Sequence, residues 1–205
     1  ASNLGTLGTA SYATAINNGG VVVGYAEAAS GSRHAFRYAN GTMADLGTLG
    51  GPESFAYGIN AAGVIVGSSG AIPANVAVLR AFVYANNTMT NIDTLGASSA
   101  AFAINSEGTV VGIYGANPNV PDRAFVYTPT GGMVDLNTVV VNLAASGFTR
   151  LIEATAINDA GQIVGRGALG SGFRGFLLTP STIPLAPTIT VPPQPHAVAP
   201  GSSVV

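Results

Sequence analysis

Residues 13–24 run Ala13-Thr14-Ala15-Ile16-Asn17, then two residues, then Gly20-Val21-Val22-Val23-Gly24. The same frame returns as Ala56 to Asn60 with Gly63 to Gly67, Ala101 to Asn105 with Gly108 to Gly112, and Ala154 to Asn158 with Gly161 to Gly165. The Asn always stands seven residues before the closing Gly, whereas successive copies begin 43, 45 and 53 residues apart. A fixed frame with variable spacing marks one supersecondary unit repeated with loops of different length. Within the frame, two short apolar runs flank Asn-x-x-Gly, an Asx-type turn closing on a Gly that can take positive φ, so the frame reads as a β-hairpin.

Working outward, each copy next carries a basic residue, a small residue and Phe: His34-Ala35-Phe36, Arg80-Ala81-Phe82, Arg123-Ala124-Phe125 and Arg174-Gly175-Phe176. In three copies a Met then leads a further apolar run, Met43 with Leu46 to Leu49, Met89 with Ile92 to Leu95, and Met133 with Leu136 to Val139. Asn40-Gly41, Asn86-Asn87 and Gly131-Gly132 supply the hairpin turn before that run. Four strands per unit, A to D, make one blade of a propeller. Strand A keeps Ala or Gly at two alternate positions in every copy (Ala13 and Ala15, Ala56 and Gly58, Ala101 and Ala103, Ala154 and Ala156). Residues two apart share a strand face, and a small face suits the crowded axis, so strand A is expected innermost.

The expected fold is all-β, a four-bladed β-propeller of about 45-residue repeats over residues 1–180. Asn3-Leu4-Gly5-Thr6-Leu7-Gly8 matches Asp45-Leu46-Gly47-Thr48-Leu49-Gly50, while the fourth copy, ending Phe176-Leu177-Leu178-Thr179, has no D strand. The N-terminal strand is therefore expected to complete the last blade and close the ring, which removes two sheet edges. An open array capped by neighbouring molecules is the competing arrangement.

Composition bounds the function. Charged residues make up 8% of the 205, all seven basic ones are Arg, and the formal net charge is −2. No basic stripe exists to neutralise phosphates, so a nucleic-acid partner is not expected. The absence of Cys excludes disulfides, thiolate metal sites and cysteine nucleophiles. The longest apolar runs, such as Val139 to Val141, are far shorter than a helical membrane span. Ala1 begins inside a repeat with no signal-peptide pattern ahead of it, so the chain reads as a mature or trimmed piece.

The combined elements Ala-Ile-Asn, Val-Val-Gly, His34-Ala35-Phe36 and Asp45-Leu46-Gly47-Thr48-Leu49-Gly50-Gly51 resemble the bacterial extracellular HAF-repeat family over about residues 3–180. The resemblance implies export, an extracellular or cell-surface location and a repeat fold, with no transferable activity. Three copies replace the His by Arg, and copies three and four depart from the Asp-Leu-Gly-Thr-Leu element. Residues 181–205 form a Pro-rich tail. Within it, Pro187-Thr188-Ile189-Thr190-Val191-Pro192 and the run from Val198 to Val205 resemble the opening of a bacterial immunoglobulin-like domain. The tail is read as a linker, as the first strand of such a domain, or as an inter-subunit strand.

Among candidate sites, His34, Arg80, Arg123 and Arg174 stand at one repeat position and form either a ring of ligand-binding cations or, the favoured reading, one structural cation per blade paired with Asp45, Asp135 or a backbone carbonyl. No catalytic residue is assigned. The two histidines lie in a strand motif and in the tail, which leaves no base for a serine triad. The acids Glu27, Glu53, Glu107 and Glu153 fall in or beside turns, scattered rather than paired as a glycosidase requires. No cofactor and no metal ligand set is assigned. Inner-strand carbonyls facing a shared channel could hold Ca²⁺ or Na⁺, without a calcium-loop motif to support it. Asn40-Gly41-Thr42 and Asn86-Asn87-Thr88 fit the glycosylation acceptor pattern, a common one.

The length differences fall in the B–C and D–A connections, Ser68 to Leu79, Tyr114 to Asp122 and Val140 to Leu151. Repeat scaffolds place binding on the face with insertions, so Tyr114, Asn117, Asn119, Arg150 and Glu153 are the candidate contacts. The expected function is a non-enzymatic structural or adhesive module of a secreted or cell-surface protein, self-assembling through its tail, into filaments for example. Its partners are copies of itself or other cell-envelope proteins. The alternative is a lectin-like glycan binder, weakened by the absence of Trp and by Tyr residues sitting mostly in repeated strands. An extracellular hydrolase ranks third.

Overall fold

In the computed structural model, residues 1–71, 78–95, 98–115 and 122–180 are described. They form an all-β array of four antiparallel sheets, one per sequence copy. The first holds β1 (Ser11–Ile16), β2 (Val22–Glu27), β3 (Arg33–Ala39) and β4 (Thr42–Asp45); the second β5 (Gly50–Ile59), β6 (Ile65–Ala71), β7 (Leu79–Ala85) and β8 (Thr88–Asn91). The third holds β9 (Ser98–Ile104), β10 (Val110–Gly115), β11 (Arg123–Thr128) and β12 (Gly132–Asp135); the fourth has three strands, β13 (Phe148–Ile157), β14 (Ile163–Leu169) and β15 (Gly172–Leu178). Within each sheet the strands pair in chain order. Among the described residues no sheet closes on itself.

The frame read from the sequence is the inner hairpin of each sheet, and its glycines have a steric cause. Every first strand bulges, opposite Gly24, Gly67, Gly112 and Gly165. The bulge pushes a first-strand carbonyl onto the facing glycine. A Cβ there would lie 1.9 Å from the oxygen of Tyr12, Phe55 or Glu153, or 2.0 Å from that of Ala100. Only Gly fits. At the turns, Asn17 Oδ1 accepts from the backbone of Gly19 and Val21 at 3.0 and 3.1 Å, and Gly20 takes φ +74°. Asn60, Asn105 and Asn158 repeat the device.

The Met-led strands are shorter than the sequence suggested. They stop at Asp45, Asn91 and Asp135, and Leu46 to Leu49 and Ile92 to Leu95 form links, while Leu136–Val139 is a helical turn, α1. The cause is local: Asp45 Oδ1 accepts from Gly47 N at 2.8 Å, Asn91 Oδ1 from Asp93 N at 2.9 Å, and Asp135 Oδ1 from Asn137 N at 2.8 Å. A short polar side chain bonding the backbone two residues on turns the chain out of the ladder.

The N-terminal match to this link holds in three dimensions. Asn3 Oδ1 accepts from Gly5 N at 2.9 Å and Ser11 Oγ donates to Gly5 O at 2.7 Å, as Ser54 Oγ donates to Gly47 O at 2.6 Å. Residues 1–10 form no strand, however, and among the described residues no strand pairs with the outer edge of β15.

Consecutive sheets pack face to face. Val23 of the first sheet lies with Ala56 and Ile59 of the second, Val66 with Ala101 and Ile104 of the third, and Val111 with Ala154 and Ile157 of the fourth. The small strand-A face is what lets these β-branched side chains approach closely.

Candidate functional site

The turns of all four inner hairpins meet around one cavity of about 360 Å³, lined by Ile16, Ile59, Ile104 and Ile157 and by the turn residues that follow them. Strand A is thus innermost. The turn asparagines join successive sheets in a ladder around this cavity. Asn17 Nδ2 donates to Asn60 O at 3.1 Å, Asn60 to Asn105 O at 3.0 Å and Asn105 to Asn158 O at 3.3 Å. Asn158 turns instead to Gln162 Oε1 at 2.9 Å. The lining is amide, hydroxyl and aliphatic, with Asp159 its one acid, and that carboxylate accepts from Ser106 N at 2.8 Å. That backbone bond, with the Ser106 hydroxyl beside it, holds the Asp159 carboxyl below its usual range. Among the described residues, no three His, Asp or Glu side chains gather as a metal site requires.

The repeated cations lie apart from the cavity, on the third strand of each sheet. His34 Nδ1 is 2.8 Å from Asp45, Arg80 donates to Asp93 at 2.9 Å and Arg123 to Asp135 at 3.2 Å. Arg174, in the sheet without a fourth strand, donates to the backbone oxygen of Phe173 at 2.8 Å. The acid side chain of Asp93 is fully covered while Arg80 remains 28% exposed. Asp93 stands two places beyond the position of Asp45 and Asp135 in the repeat, and the sequence comparison missed it for that reason. Its second role was also hidden: Ser99 Oγ donates to it at 2.7 Å and accepts from Ala81 N at 2.8 Å, sewing the third sheet to the second. Ser54 does the same for Ala35 at 2.8 Å.

At Asp135, burial pushes the carboxyl up, but hydrogen bonds from Asn137, Tyr114 and Arg123 outweigh it and its pKa lies below the usual value. The Tyr114 hydroxyl, desolvated and bonded to that carboxylate, is pushed up to about 12.

Of the expected loop-face contacts, Tyr114, Arg150 and Glu153 are described, and Asp122 links the first two, its backbone N–H donating to Tyr114 O at 3.1 Å. Tyr114 is buried, in the cluster around Val66 and Phe125. Arg150 pairs with Asp122 at 3.0 Å and Glu153 with Arg166 at 2.7 Å. Asn117 and Asn119 lie outside the described residues.

A feature that the sequence did not reveal is a chain of aromatic contacts across the first three sheets. Tyr12 stacks on Tyr25 at 5.0 Å, Tyr25 meets Phe55 edge-on at 5.2 Å, and Tyr57 meets Phe102 edge-on at 5.6 Å. The Arg33 guanidinium lies 5.3 Å from the centre of the Phe55 ring and bonds Glu53 at 3.2 Å. These rings come from three different copies, so only their equivalent repeat positions (Tyr12 with Phe55, Tyr57 with Phe102) signalled them. Among the described residues no helix is long and apolar enough to cross a membrane. Compared with known proteins, the chain matches no family model and no curated protein sequence.

Proposed function

We propose that this chain is a non-enzymatic structural or adhesive module of an exported bacterial protein, similar to the HAF-repeat family, whose four sheets are the blades of a closed propeller. The observation that carries this reading is the use to which the repeated polar side chains are put. The cation of each of the first three sheets is engaged by an acid at or just beyond its own fourth strand, and each turn Asn of those sheets is engaged by the next sheet. Groups absorbed this way hold a scaffold together.

Light scattering of the full chain at several concentrations tests it, beside the same chain without residues 181–205. Oligomers of the 20.3 kDa chain that dissolve on removal of the tail are expected of a self-assembling module. A monomer at all concentrations that hydrolyses a glycoside or ester, with turnover lost in a folded Glu53→Gln variant, would overturn it.

The aromatic chain favours a second reading, a glycan-binding module. Partly exposed rings beside Arg33 and Glu53 offer stacking surfaces and hydrogen-bonding groups together. Retention on immobilised polysaccharide, abolished by Tyr12→Ala with unchanged circular dichroism, is the result that would put it first.

A further inference from the structure

In the second and third sheets a methionine of the outer strand covers the sheet's core-facing side. Met89 faces Tyr84 and Met133 faces Tyr127 across the last two strands of their sheets. Each packs in a core cluster with the residue that opens its sheet's second strand, Met89 with Ile65 and Met133 with Val110, and Met133 is only 5% exposed. In the fourth sheet Ile163 and Leu178 hold the positions of Val110 and Tyr127. Among the described residues no outer strand faces Leu178.

The insertion that sets the fourth copy 53 residues from the third takes this place only in part. It lays Val139, Val140 and Val141 beside Leu177 and Leu178, along an apolar groove of about 370 Å³ lined also by Ile163 and Pro180. Val139, Val141 and Leu177 are 53%, 78% and 62% exposed, so three large apolar side chains of one groove face water. The match of Asn3 to Asp45 puts Ala1 at the place of Met43. The N-terminal segment therefore offers a methyl group where the other sheets offer a methionine.

We infer that this groove is the docking site of Ile183 and Leu185 of the same chain. Pro180 lines the groove, so the chain continues into residues 181–205 from the groove itself. Ile183 lies three residues on, a span of at most about 10 Å. Pro184 biases Ile183 to an extended backbone, and residues two apart share one face of an extended chain, so Ile183 and Leu185 present two branched aliphatic side chains together. Neither the groove lining nor residues 181–205 include an Asp, Glu, Lys or Arg, so the contact desolvates no charge. The same-chain segment is favoured over that of a second copy because so short a tether gives it a far higher effective concentration. Anchored there, the tail departs from one fixed place on the fourth sheet, and residues 186–205 are the part left to other partners. The inference goes beyond the assembly role proposed for the tail and does not depend on it.

Thermal unfolding of the full chain tests it. Val141→Asp and, separately, Ile183→Asp with Leu185→Asp are each expected to lower Tm by about 4 °C or more, because each puts a carboxylate into the same apolar contact. All three substitutions together are expected to cost little more than either variant alone, since one contact is lost only once. An unchanged Tm in either variant, as for a substitution on an open surface, would overturn the inference, and so would falls that simply add. A fall that shrinks as the protein is diluted would overturn it as well, by placing a second copy's tail in the groove. The result is separable from that of the assembly test. A monomer by light scattering with these Tm shifts present removes the assembly role and leaves the anchored tail, whereas oligomers with an unshifted Tm do the reverse.

Discussion

Arg80 and Asp93 show how a repeated charge works in this chain. The carboxylate is fully covered and accepts from Arg80 and Ser99, so removing the guanidinium leaves a desolvated anion short of a partner. Such losses are worth about 3 kcal/mol, and Arg80→Met is expected to cost roughly 2–3 kcal/mol in urea unfolding. Arg33→Met, at an exposed pair with Glu53, is expected to cost under about 1 kcal/mol. Asp135 carries a pH dependence. Its folded pKa is below the usual 3.8, so the stability it contributes is complete above that value and lost as pH falls through the lower, folded one. Stability measured from pH 5 down to pH 2 is expected to decline less steeply in Asp135→Asn than in the parent chain. Tyr114 has the opposite sign: with its pKa pushed up to about 12, its contribution holds below pH 10 and disappears as pH rises toward 12.

At the scale of the element, the inner hairpin is set by glycines that face a bulge. Gly112→Ala would place its Cβ 2.0 Å from Ala100 O and 2.7 Å from the ring of Phe125, so the bulge must flatten or the strands part. The expected loss exceeds the roughly 1 kcal/mol gained or lost by an unstrained Gly-to-Ala change, and hydrogen exchange at β9 and β10 should rise with it. Gly175→Ala, where a Cβ would meet only Gly165 O at 3.8 Å, is the control and should change exchange in its own sheet little. The outer links follow another rule. Their Asp or Asn bonds the backbone two residues on, and this ends the fourth strand where an apolar pattern alone would have continued it.

At the scale of the whole molecule, consecutive sheets of the described residues pack through one Val-on-Ala-and-Ile junction after another. Arrays built this way gain stability from their interfaces as much as from each unit. Val66→Ala, in the middle junction, is expected to cost about 2 kcal/mol and to lower the unfolding midpoints of circular dichroism and tyrosine fluorescence together. Separate midpoints would mean that the sheets unfold independently.

The sequence by itself determined the number of units, the inner hairpins and the turn chemistry, because these depend on residues close in the chain: Asn17 with Gly20, Gly24 with the strand just before it. It also placed the cation of each sheet. Only the tertiary structure decided which acid meets Arg80, that Tyr114 is buried rather than presented on a loop, and that rings from three copies touch. Those contacts join residues far apart in sequence, whose meeting depends on the bulge and on how closely one small-residue face lets the next sheet approach. The exposure of Val164 beside three covered equivalents belongs to the same class, since a repeat written four times in sequence is identical at its ends and its middle, and only packing in space tells them apart.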